Sequence, residues 1–190
     1  MKTFIYMVRH VESSKTEKNE RTRGLTEKGE LDTYQIIDLL QTEEIEVFIS
    51  SPYNRAILTI QELANQLGKE ILIFEDLKER VFSAEDRRIS DNELSSLLKK
   101  SFSDQNFAIA GAESNAVCQN RAIKVLKELL NTYRGKKVVL GTHGAVMTLM
   151  MRYYDSKYDL NFLLNTTKPD IYRMEFIGQD LVDVKRLWKC

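Results

Sequence analysis

Between Lys137 and Tyr154 the chain reads KVVLGTHGAVMTLMMRYY, an apolar run of strand length that passes into a segment of helical length with Thr142-His143-Gly144 at the joint. A short, wholly apolar strand of this kind belongs in a sheet that is largely buried, and a helix opening directly after it is the βα step of an α/β fold. The same alternation continues outward in both directions. Strands are predicted over Thr3–Val8, Val47–Ser50, Ile71–Phe74 and Lys137–Leu140. Two more, over Ile171–Phe176 and Leu181–Leu187, read as a hairpin about Gly178-Gln179-Asp180.

Helices are predicted between them. In SSPYNRAILTIQELANQLG, Ser51 is read as the N-cap and Pro52 as the first helical residue, with Ile57, Ile60, Leu63, Ala64 and Leu67 on one face and Gly68 closing the helix. LTEKGELDTYQIIDLLQ offers Leu31, Ile36, Leu39 and Leu40 for burial. ESNAVCQNRAIKVLKELLNTY offers Val117, Val125, Leu129 and Tyr133, with Ser114 as its cap. The least regular stretch is 80–112, read as loop around one short helix, DNELSSLLKK.

At 190 residues, with no repeat and no low-complexity linker, residues 1–190 are expected to form a single domain. Lys and Arg number 28 and so do Asp and Glu, so no net field recruits nucleic acid or an anionic membrane, and any anion must be bound by a local group of residues. The opening apolar run is only five residues, Phe4 to Val8, too short for a signal-peptide core or a membrane span, and a cytoplasmic location is expected. Cys118 and Cys190 are too few for a disulfide framework or a zinc site and are read as free thiols.

Both of the chain's histidines follow predicted strands. Arg9-His10 follows FIYMV, and His143 follows VVLGT. The carboxyl ends of strands in an α/β sheet border the crevice where ligands bind, so two imidazoles at such ends can face one another. Arg55 lies one turn into the helix after a third strand end, VFISS. Singly, each has an ordinary structural use: a loop histidine, a surface arginine, a solvated helix residue. Together they supply what a phosphate monoester requires, since guanidinium forks pair with phosphate oxygens, helix N-termini add positive potential, and an imidazole kept neutral by flanking arginines is a nucleophile toward phosphorus.

MVRHVES, GLTEKG, SSPYNRAILTIQELA, DLKER, GAES and VVLGTHGAVM occur in that order from residue 7 to about residue 147. In this combination the chain resembles the histidine phosphatase superfamily, the phosphoglycerate-mutase-like group. The resemblance implies a three-layer α/β/α sandwich with a mostly parallel central sheet, a phosphohistidine intermediate, and neither metal nor other cofactor. It implies that His10 is the nucleophile, that Arg9 and Arg55 hold the phosphoryl group, that His143 contacts the same oxygens, and that Glu79 protonates the leaving group. Glu113 and Ser114 are implied to lie near the substrate, although a helix cap with its acid is an equal use for that pair. Three departures stand out: Val11 occupies the place of a glycine that allows positive φ, Thr16 that of an asparagine, and RVFSAEDRR that of a Gly-x-Trp-Glu-Gly stretch.

The expected activity is hydrolysis of a small phosphorylated metabolite. One alternative is a mutase-type phosphoryl isomerase, for which the 80–112 lid, with Arg87, Arg88, Lys99 and Lys100 as possible anion contacts, is short. The other is a non-catalytic phosphate-binding module. Substrate identity and oligomeric state are not written in the sequence.

Overall fold

The computed structural model describes residues 1–17, 19–84 and 89–189. Arg87 and Arg88, read as anion contacts, and Cys190, read as a free thiol, lie outside the described residues. The elements run β1 (Lys2–Arg9), α1 (Glu27–Leu40), β2 (Val47–Ser50), α2 (Asn54–Gln66), β3 (Ile71–Ile73), α3 (Asp91–Ser103), α4 (Asn115–Thr132), β4 (Lys137–Thr142), α5 (Gly144–Tyr154), α6 (Leu160–Asn165), β5 (Asp170–Ile177) and β6 (Asp180–Arg186). Six strands form one sheet in the order β3-β2-β4-β1-β5-β6. The first four are mutually parallel, and β5 runs antiparallel to both β1 and β6.

Alternation along the strands sends successive side chains to opposite faces. Ile5, Met7, Val138 and Leu140 are buried with Leu126, Leu130, Met147 and Met150 of α4 and α5. Tyr6, Val8, Val139 and Phe48 are buried with Ile36, Leu40, Ile60 and Leu63 of α1 and α2. Both faces of the sheet are therefore covered, which is why these strands read as unbroken apolar runs. Each large aliphatic side chain so withdrawn from water contributes about 1.5–3 kcal/mol. Every residue of α5 from Gly144 to Met151 is buried, so this helix is packed on all sides and its N-terminus is a fixed point.

Several expectations are revised. Ser51 is not the cap of α2: the helix starts at Asn54 behind Tyr53, and Ser51 Oγ instead accepts the Tyr53 N–H at 3.1 Å. Leu31 and Val117 are 65% and 54% exposed, because each lies off the stripe that its helix turns to the core. The strand at 137–140 continues through Gly141 and Thr142, which pair with Val8 and Arg9. Helix α3 carries a capping box between Ser90 and Glu93 and reaches Ser103, beyond the expected DNELSSLLKK, while α6 was not anticipated.

The loop after β1 is held close to α1. A Cβ on Gly29 would overlap the carbonyl oxygen of Glu12 and press on Val11, so glycine is needed there for the approach of the two segments. Val11 is fully buried in the α1–α2 side of the core and does not adopt a positive φ. The loop thus dispenses with the glycine expected at position 11 by turning its side chain inward.

Candidate active site

Register brings the site together. Arg9 pairs with Thr142 across β1 and β4, and Ser50 with Gly141 across β2 and β4, so the carboxyl ends of three adjacent strands are flush. The next residues continue the ladder: His10 N–H donates to Thr142 O at 3.0 Å and Ser51 N–H to Gly141 O at 3.1 Å. His10 and His143 consequently stand side by side, with ring centroids 5.3 Å apart.

His10 is 4% exposed. Its Nδ1 lies 2.6 Å from Val11 O, an atom that only accepts, so Nδ1 carries the proton and Nε2 bears the lone pair. Arg55 Nε donates to that Nε2 at 3.2 Å. His143 is fully buried, its Nε2 shares a hydrogen bond with Ser51 Oγ at 2.6 Å, and its Nδ1 has no partner among the described residues. Burial first, and then the Arg55 charge, hold both imidazoles well below the usual histidine range; Arg9 adds to the effect on His10, and His10 to that on His143.

This makes folding acid-sensitive in a definite window. Below pH ~6.5 the unfolded chain protonates both histidines while the native site keeps them neutral, so the unfolded state binds more protons and stability falls as pH falls. Between pH 7.5 and 5.5 stability should therefore fall, above the range where carboxylates titrate. Urea midpoints at these two pH values check it: the midpoint should fall in wild type and fall about half as far in His143→Asn.

Arg55 reaches this position from the first turn of α2 and is 2% exposed. Its Nη1 donates to Glu20 O at 2.5 Å, its Nη2 pairs with Glu20 Oε2 at 3.0 Å, and its guanidinium lies 4.9 Å from the centre of the Tyr53 ring. The same Glu20 oxygen takes Arg23 Nη2 at 3.1 Å. Burial, then the Arg23 charge, push the Arg55 pKa down to about 10. Arg9 at the end of β1 donates to Thr166 O at 3.1 Å and to Thr166 Oγ1, while its Nε has no partner among the described residues. A Cβ on Gly144 would come within 2.8 Å of Arg9 Nη2, so the glycine after His143 leaves the room this guanidinium occupies.

Glu79 follows a 3₁₀ turn at Glu75–Leu77 and lies against the start of α5. Ala145 N–H donates to its Oε2 at 3.1 Å, and Val146 N–H and Arg80 N–H donate to its Oε1 at 2.8 Å each. The N-terminus of α5 is thus closed by this carboxyl group.

A cavity of about 380 Å³ opens over Arg9, His10, Arg55 and Glu79. Among the described residues its lining bears six cationic side chains and four acidic ones, with Val81, Phe82, Ile89 and Leu94 apolar. Of the seven residues expected at the site, these four line the cavity. His143 stands behind His10 and does not. Glu113 and Ser114, expected near the substrate, do not line it either: Ser114 caps α4, and Glu113 pairs with Arg121 and accepts the Val81 N–H at 2.9 Å, bracing the segment that carries Arg80. Sequence reasoning missed Glu20, Arg23, Ser51 as a histidine partner, and Lys168. Arg23, directly before GLTEKG, had a signal in its position; the others are joined to the site by folding alone. Among the described residues no three His, Cys, Asp or Glu side chains are grouped to hold a metal ion, and no helix is long and apolar enough to cross a membrane.

The sequence model of the family described as histidine phosphatase superfamily (branch 1) matches residues 5–181. A mycobacterial glucosyl-3-phosphoglycerate phosphatase is similar with a TM-score of 0.78 and 16% identity, over 99% of each chain. YhfR of Bacillus stearothermophilus is similar with a TM-score of 0.79 and 20% identity, over 95% of this chain and 94% of that one. A variant phosphoserine phosphatase from Entamoeba histolytica, in complex with phosphoserine, has a TM-score of 0.80 and 20% identity, over 97% of this chain and 96% of that one. At these identities the structural likeness speaks for the fold. No curated protein matches the sequence.

Proposed function

The chain belongs to the histidine phosphatase superfamily, and from its cavity we propose that it hydrolyses small phosphomonoesters through a phosphohistidine on His10. The observation that carries this reading is the state of His10: neutral, with Nδ1–H tied to Val11 O and its Nε2 lone pair facing a cation-lined cavity. An imidazole held uncharged at a cation-lined cavity, with its lone pair available, is suited to attack phosphorus.

In the proposed reaction the phosphoryl group replaces His10 as the acceptor for Arg55, whose fork and that of Arg9 take its oxygens. His143, with its unpartnered Nδ1, is proposed to reach the same oxygens. His10 Nε2 attacks phosphorus as the ester P–O bond breaks, and the Glu79 carboxyl gives its proton to the departing alkoxide. Water then attacks phosphorus, Glu79 takes the water proton, the P–N bond breaks, and inorganic phosphate leaves with His10 restored. Charge on the equatorial oxygens is met by groups already in place, which is where the largest rate term is expected.

The relatives named as phosphatases favour hydrolysis over isomerisation, as does the short 80–112 segment available to close over a substrate. The reading is tested by release of p-nitrophenol from p-nitrophenyl phosphate before and after dialysis against a chelator. Equal turnover in both is expected. Turnover lost on dialysis and restored by magnesium or zinc would overturn the metal-free mechanism, and no turnover at all would favour a phosphate-binding module.

A further inference from the structure

Lys168 lines the cavity from the segment between α6 and β5, and the reaction above does not use it. Its backbone is fixed on both sides. Thr166 is held by Arg9, Thr167 N–H donates to Asp170 Oδ2 at 3.1 Å and its hydroxyl to Pro169 O at 2.6 Å, and Asp170 is in register with Arg9. Its ammonium makes no hydrogen bond or ion pair with any described residue, although Glu12, Glu20, Glu79 and Asp91 line the same cavity. Those four are engaged elsewhere: Glu12 with Thr26, Glu20 with Arg55 and Arg23, Glu79 with the start of α5, and Asp91 with Lys15. A cation presented by a fixed backbone, among other cations and without a counter-charge, is a group whose partner arrives from outside.

The reaction geometry says which part of a ligand meets it. In-line displacement puts the leaving oxygen opposite the attacking nitrogen. His10 is buried in the floor, so the alcohol part of the ester points to the mouth, where the Lys168 side chain is exposed. The phosphoryl group is already served by Arg9 and Arg55. The geometry points to Lys168 as a specificity-determining residue that binds a second anionic group, a carboxylate or a second phosphate, on the alcohol part of the substrate.

This inference rests on the hydrolytic reading and deepens it. Lys168 also supplies a pH signature. It is exposed in area, yet the protein around the mouth removes part of its water, and Arg9 from β1, Arg23 and Lys15 from the loop before α1, and Arg55 from α2 repel its charge, so its pKa is pushed down to about 8. The phosphoryl group of a substrate, with its second pKa near ~6, and a carboxylate near ~4 keep their charges above pH 7. A preference carried by Lys168 therefore fades as pH rises through 8, while effects common to all esters cancel in a ratio of substrates.

The test compares ethyl phosphate with 2-phosphoglycolate, which replaces its methyl by a carboxylate, and with ethylene glycol bisphosphate, which adds a second phosphate. At pH 7 the wild type should favour at least one anionic ester over ethyl phosphate in kcat/KM by about fivefold, the upper size of a partly exposed ion pair. Whichever anionic ester is favoured identifies the group bound. The preference should decline toward parity by pH 9, vanish at all pH values in Lys168→Met, and persist to pH 9 in Lys168→Arg. A wild type without preference, or a preference kept by Lys168→Met, overturns the inference while turnover of p-nitrophenyl phosphate leaves the hydrolytic reading standing. Absence of turnover on p-nitrophenyl phosphate overturns both.

Discussion

His10→Ala should fold and bind inorganic phosphate yet lose phosphomonoester turnover by about 10⁴-fold or more, because His10 is the imidazole that lines the cavity and the proposed covalent intermediate forms on it. His143 is adjacent, but it stands behind His10 and its Nε2 is engaged by Ser51. The fold should tolerate the change. His10 contributes a hydrogen bond to Val11 O and accepts one from Arg55 Nε, and its removal offsets these by relieving the burial of an imidazole among arginines. The measurement is turnover of p-nitrophenyl phosphate alongside the urea midpoint. Activity within tenfold of wild type in a folded variant would remove His10 from the nucleophile role, and the reaction scheme with it.

Glu79→Gln should slow an alkyl phosphate by about 10²-fold or more and p-nitrophenyl phosphate far less, since general-acid assistance matters in proportion to the basicity of the leaving oxygen. The structure adds a complication that the comparison of substrates resolves. The carboxyl group accepts three backbone N–H groups and so also closes the N-terminus of α5. A glutamine would turn its own N–H2 toward one of those donors. Loss of that structural role alone would depress both substrates equally, because each uses the same cavity. A split by leaving group therefore isolates the proton transfer, and equal losses would assign Glu79 to positioning α5 and His143.

Much of this site was readable along the chain, for a reason that individual residues make plain. Arg9, His10 and His143 are placed by strands whose cores, FIYMV and VVL, are apolar on both faces, and a strand end needs only the strand to be found. Arg55 was legible because it sits at the start of a strongly amphipathic helix that follows a strand end. The boundary that failed, Ser51 as a cap, failed because its hydroxyl had a competing long-range use beside His143, 92 positions away. Lys168 and Glu20 had no local pattern at all; Glu20 joins the site only when Arg55 arrives from α2. Leu31 and Val117 misled because hydrophobic type was read without angular position on the helix. The six residues of α6 are too few to show a period.

Hydrolysis through His10 requires a covalent bond between its Nε2 and phosphorus, and that bond can be trapped. Wild type is mixed with p-nitrophenyl [³²P]phosphate, whose leaving group makes formation of the intermediate fast, and quenched within milliseconds in denaturing alkali. The expected result is protein-bound label that survives alkali, is lost in acid, maps to the peptide containing His10, and is absent from His10→Ala. No label during active turnover, or label that persists in His10→Ala, would contradict it.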